Sequence, residues 1–266
     1  MLARGKAGRL YVEIFEDRRA LGEKAAADAA RAIAACIKAK GWCSVIFAAA
    51  PSQNEFLEAL SRCGIESDGI VDFSKVHAYH MDEYAGLPVD APQSFGSFLK
   101  RSIFDKVPFG RVEYLNGCAE DLEEEARRYG QLLREDPPDL VFMGIGENGH
   151  IAFNDPHEAR FDDPVSVKVV TLDEICRMQQ VHDGCFDSLE KVPEQALTLT
   201  VPTLFAAKRL FCMVPAATKA EAVQKTVMGE IREQVPASVL RMHHQAALYL
   251  DPDSGKKLLE AGFGKE

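Results

Sequence analysis

No apolar run in this 266-residue chain approaches the roughly 20 residues that a membrane-spanning helix needs. Its first residues lack the charged-then-apolar plan of an export leader, so a cytoplasmic chain is expected. No C-x-x-C pair occurs among the seven cysteines, and their number is odd, which argues against a zinc ribbon and a fully paired disulfide framework. Most lie in apolar runs such as Ala35-Cys36-Ile37 and Phe211-Cys212-Met213, as expected of buried thiols in a reducing cytosol. Basic charge is short too: 31 Lys and Arg face 41 Asp and Glu, a net charge of -10. That field repels phosphodiester backbones, so nucleic acid is not an expected partner. A small anion remains acceptable, because local cations and helix N-termini outweigh a net field at close range. Gly144, Gly146 and Gly149 have the Gly-x-Gly-x-x-Gly spacing of a dinucleotide fingerprint, but a Gly-rich turn after a strand is weak evidence by itself. No linker, repeat or low-complexity tract divides the chain. A single domain spanning 1–266 follows, with 47% hydrophobic residues to supply its core.

What is present is an alternation of strands and helices. Residues 17–40 read as an Ala-rich helix stopped by Gly41. Trp42 to Ala50 reads as a buried strand, and Pro51-Ser52 open a helix over 52–62. A strand over 71–80, a helix over 93–104, a short strand over 112–115 and a charged helix over 119–134 follow. Asp139 to Ile145 is a continuous apolar strand ending in glycine, as in a parallel sheet covered on both faces. Strands at 197–201, 209–214 and 246–250 and a helix at 217–229 complete the pattern. The expected fold is α/β: a single doubly wound, mostly parallel sheet with helices on both faces.

Ligands of such sheets bind beyond the carboxyl ends of the strands. Two of those ends carry unusual polar groups. His80-Met81-Asp82-Glu83-Tyr84 puts His80 and Asp82 on one side if the strand continues. Gly144-Ile145-Gly146-Glu147-Asn148-Gly149-His150 holds three glycines before a histidine, a residue whose ordinary pKa suits acid and base work near neutrality. Taken alone, an Asp at a strand end is often a helix cap and a Gly-rich turn is often only a turn. His77 and His80, three apart on a strand, do not share a face, so no metal site is expected.

Met81-Asp82-Glu83-Tyr84 with Gly86-Leu87-Pro88, and Gly149-His150-Ile151-Ala152-Phe153-Asn154 with Pro156, resemble the two signature segments of the glucosamine-6-phosphate deaminase/isomerase family. Gln93-Ser94-Phe95, Leu115-Asn116-Gly117, Val192-Pro193 and Lys219-Ala220 extend the similarity in order from about 40 to 250. The related 6-phosphogluconolactonases share a Gly-His turn but resemble the chain less. The resemblance implies an enzyme that opens an amino sugar phosphate, moves a proton between C2 and C1 through an enediol, and expels ammonia, with no cofactor. The alternatives are a sugar lactonase and a non-catalytic sugar-binding regulator. The resemblance makes Asp82 the carboxylate base and His150 the ring-opening acid/base, with Asp155 orienting the histidine. Ser52, Gln53, Glu83, Gly149 and Lys219 become substrate-binding residues. A homo-oligomer is compatible with it.

The chain departs from the family at three places. Asn148 replaces an Asp beside the histidine; an amide there accepts the imidazole N–H, and Asn148→Asp is expected to leave activity equal or raise it. Ala49-Ala50-Pro51 replaces a glycine-rich phosphate turn, leaving the helix N-terminus as the anion site. A lid arginine falls on Asp183 or Gly184, so Lys219 stands alone unless Arg177 or His182 leans in.

Overall fold

Asp17 and Gly41 bracket the first long helix as the sequence predicts. The Asp17 carboxylate accepts the Ala20 N–H at 2.8 Å, and Gly41, at φ 93°, donates its N–H to Ile37 O. In the computed structural model, which describes residues 1–264, this helix is α1 (Arg18–Lys40). It follows a hairpin of β1 (Ala3–Ala7) and β2 (Leu10–Ile14) that the sequence pattern does not announce. The buried face of α1 is largely alanine, which lets it lie close on α2 (Asn54–Ser61). A β-carbon on Gly22 would stand 2.8 Å from the Glu55 backbone.

Between and after these helices come β3 (Cys43–Phe47), β4 (Val76–His80), β5 (Asp82–Tyr84), α3 (Phe95–Leu99), β6 (Arg111–Glu113), α4 (Leu122–Glu135) and β7 (Leu140–Met143). The chain continues through β8 (Val167–Thr171), α5 (Glu174–His182), β9 (Gln195–Leu199), α6 (Val201–Phe205), β10 (Arg209–Val214), α7 (Ala220–Met228), β11 (Ala246–Leu250) and α8 (Lys256–Glu260). The main sheet has the order β1-β2-β11-β10-β7-β3-β4-β6. All neighbours in it are parallel except the β1–β2 hairpin at the edge.

Successive residues of the central strands feed two cores, because side chains alternate across a sheet. Val45, Phe47, Leu140, Phe142, Phe211 and Met213 pack with α1 and α2 on one face. Ile46, Val141, Met143, Leu210 and Cys212 pack with α4, α6 and α7 on the other. Both faces are thus covered, which is why these strands read as unbroken apolar runs.

One expected strand belongs elsewhere. Residues 195–199 pair antiparallel with β5 and β8 in a second, three-stranded sheet. An apolar run does not reveal its partner, so the sequence pattern merges this layer with the main sheet. The second sheet carries Asp82, whose residue pairs with Thr198. Among the described residues no helix is long and apolar enough to cross a membrane.

Candidate active site

The turns that follow β3, β4, β7 and β10 line one cleft, with about 520 Å³ of empty space including its open mouth. From β3 the chain moves to β4 and β6 on one side; from β7, its neighbour, it moves to β10 and β11 on the other. The cleft therefore opens where strand order reverses, the place at which sheets of this kind bind ligands. Ser52, Gln53, Asp82, His150 and Lys219 all reach its wall.

Asp82 enters at the step from the main sheet to the second one. Its residue is only 6% exposed, and no hydrogen-bond donor holds its carboxylate among the described residues. Burial, with the neighbouring Glu83 charge added, pushes its pKa well above the ordinary carboxylate value. Such a carboxylate is a stronger base than a solvated one and has its lone pairs free for a ligand.

His150 arrives on the loop after β7. The Gly149 N–H bonds Gly146 O, and Gly149 at φ 89° closes the turn that lifts the histidine. Ala152 takes φ 51°, a conformation that costs an alanine energy and that clusters at functional sites. The imidazole Nδ1 lies 3.0 Å from Asp155 Oδ1, off the hydrogen-bonding direction. Burial works against an ionised Asp155, but His150, Asn148 and the Asp173 N–H prevail and hold its carboxyl below the usual value. Beyond the loop, Asn154 Nδ2 donates to Ile151 O and Leu199 O, and Phe153 N–H donates to Thr198 Oγ1, fixing the segment to β9.

Lys219 is delivered by the turn after β10 and is the one Lys or Arg on the cleft wall among the described residues. It is 4% exposed, and its Nζ has no hydrogen-bond partner among the described residues. Burial lowers its pKa, while Asp183 and Glu147 act in the opposite sense. Gln53 is buried beside it. Its Nε2 donates to Met213 O and Ser52 Oγ, which fixes the amide orientation and leaves Oε1 unpartnered.

Other expected residues fall outside the wall. The Glu83 carboxylate takes the N–H groups of Phe95, Gly96 and Tyr84, capping α3 rather than facing the cleft. Gly149 shapes the loop without lining it. The Asn148 amide is not hydrogen-bonded to the imidazole: its Oδ1 accepts the His150 backbone N–H and its Nδ2 donates to Asp155 and Asp173. Arg177 does not lean in, because its Nη2 donates to Leu189 O and Val192 O, and His182 sits 3.3 Å from Glu147. The α5 helix instead presents Gln179 and Gln180, which the sequence pattern does not single out. Gly146 is a further functional position: a β-carbon there would enter the His150 ring.

A buried base free of protein partners, a histidine backed by a carboxylate and a buried ammonium suit proton transfers on a small anionic molecule. Comparisons with known proteins narrow this. The family model for glucosamine-6-phosphate isomerases/6-phosphogluconolactonase matches residues 16–249. The chain is 36% identical over 216 residues to a glucosamine-6-phosphate deaminase of Streptococcus sanguinis, covering 81% of this chain and 87% of that one. A monomeric glucosamine-6-phosphate deaminase superposes with a TM-score of 0.84 at 31% identity, covering 92% of this chain and 98% of the other. The 6-phosphogluconolactonase of Trypanosoma brucei has a TM-score of 0.74 at 18% identity, covering 93% and 98%, and thus shares the fold. With most of its length matched by the family model and by relatives of this kind, the chain belongs to the glucosamine-6-phosphate isomerase/6-phosphogluconolactonase family.

Proposed function

We propose that this protein is an amino sugar phosphate isomerase and deaminase that converts a substrate of the glucosamine 6-phosphate type to the ketose phosphate and ammonia. The single observation that carries the reading is that Asp82 and His150, from different strand ends, open onto the same cleft, with the Asp82 carboxylate given no donor among the described residues. The deaminase names of the relatives at 31% and 36% identity support it.

His150 moves the proton between the ring oxygen and the C1 hydroxyl, which opens the sugar. Asp82 then takes the proton from C2 and returns it to C1. Its raised pKa favours acceptance, and the carboxylic acid formed is neutral, which a buried site tolerates. Water adds at C2 and ammonia leaves, so one water is consumed for each ammonia released. Asp155 stabilises the charged form of His150. Lys219 receives the phosphate, with Ser52 and Gln53 beside it. Seven free cysteines suit a reducing compartment, the cytoplasm.

The test is ammonia release from glucosamine 6-phosphate and galactosamine 6-phosphate by the folded protein. Ammonia from either with equimolar ketose phosphate is the expected result. No ammonia from both, with hydrolysis of 6-phosphogluconolactone, would move the protein to the lactonase reaction.

A further inference from the structure

Asn148 lies between two carboxylates. Its Nδ2 is 2.9 Å from Asp155 Oδ1 and 2.9 Å from Asp173 Oδ2, so each amide proton has its own acceptor. Its Oδ1 accepts the His150 backbone N–H at 3.0 Å. Reversing the amide would set an oxygen against two carboxylates and an NH₂ against an N–H, so the orientation is fixed. Asp155 is fully buried, and its Oδ2 accepts the Asp173 N–H at 3.1 Å. Asp173 Oδ1 accepts the Cys176 N–H at 2.6 Å and so caps α5, the helix that brings Gln179 and Gln180 to the cleft.

From these contacts we infer that Asn148 and Asp173 are a matched pair. Asp173 takes one amide proton and thereby aims the other at Asp155, which backs His150. Asp173 is then a positioning residue that acts through Asn148 and Asp155, and it links the anchoring of α5 to the setting of the histidine. The matched pair explains why an amide stands at 148: a carboxylate there would be the third beside the buried Asp155 and the part-buried Asp173, with no proton between them. The expectation that Asn148→Asp is harmless is thereby reversed.

This inference rests on the proposed acid/base role of His150, and its test uses two readouts. Asn148→Asp is expected to lower kcat/KM about a hundredfold by misplacing His150. It should also move the acid limb of the pH profile upward. The groups facing Asp155 are His150, His157, Asp173 and Cys176, and the variant adds a negative charge where a donor stood. In Asn148→Asp/Asp173→Asn the carboxylate count returns to two, and an asparagine still caps α5. That double variant should regain at least tenfold over Asn148→Asp and bring the acid limb back down. A residue that merely holds the loop would not be rescued by removing a charge at 173.

The Asp155 carboxyl ¹³C titration follows the same shifts without substrate. Wild-type protein that releases no ammonia therefore sinks the deaminase reading while the pair is still tested. An Asn148→Asp variant within threefold of wild type and with an unmoved Asp155 titration overturns the pair. So does a double variant no better than Asn148→Asp in both readouts.

Discussion

The imidazole of His150 rests on the bare α-carbon of Gly146: a β-carbon there would come within 2.2 Å of both Cε1 and Nε2. That is far inside van der Waals contact, so any side chain at 146 must move the ring. Gly146→Ala is expected to reduce kcat at least a hundredfold by displacing the proposed acid/base, since about 1 Å of misplacement has that effect. Global stability should change far less, because the displaced ring borders a cleft rather than the packed core. Turnover within threefold of wild type would show that the ring does not need this seat.

Asp82 and Glu83 are adjacent yet titrate in opposite senses. Burial raises Asp82, whereas Glu83, also opposed by burial, is held below its usual value by His80 and the Gly96 and Phe95 N–H groups. For Asp82 the folded state binds the proton more tightly than the unfolded chain, whose value is about 3.9. Stability is therefore lost as pH rises from that value through the native one. Asp82→Asn removes this penalty, so its Tm should gain on wild type as pH rises above about 4, while ammonia release falls about 10²- to 10⁴-fold. A Tm difference that shrinks with rising pH would contradict the burial account.

Glu83 works the other way. Its contribution is complete above the unfolded value near 4.3 and disappears as pH falls through the lower native value. Glu83→Gln turns an NH₂ toward backbone N–H groups that need an acceptor and should cost about 1–3 kcal/mol at pH 7. The deficit, read from denaturant melts, should narrow below about pH 4. A deficit independent of pH would mean that the charge is not what α3 requires.

The strand ends that line the cleft were legible because polar residues interrupt apolar runs at Asp82 and beside His150. The two-sided core was legible from the opposite signal, the continuous apolar run in 139–145. What was not legible depends on partners remote in sequence. β9 looks like any buried strand until its antiparallel pairing with β5 and β8 is known. Asn148 looks like a weakened carboxylate until Asp173, 25 residues on, is found against its amide. Gln179 and Gln180 carry no signal on an ordinary helix, and only the packing of α5 over the cleft gives them one.

Lys219 bears the last prediction. Its turn is held in a costly form: Ala216 takes φ 87°, and its N–H is fixed by Asp251 Oδ2 at 2.9 Å. Strain on one side and a buried ammonium with no partner among the described residues on the other are both unfavourable, and an anionic ligand group relieves the second. Lys219→Met should therefore raise KM for a phosphorylated amino sugar about 10- to 150-fold, the equivalent of one charge-assisted bond of about 1.5–3 kcal/mol. It should leave kcat within a few-fold and leave any turnover of unphosphorylated glucosamine unchanged. The same variant should melt higher than wild type at pH 7. Because burial lowers the native pKa, the folded state binds this proton less tightly than the unfolded chain, and the penalty fades as pH approaches about 10. An equal loss on both sugars would place Lys219 away from the phosphate and return the question of which group meets that anion to Ser52, Gln53 and the α2 terminus.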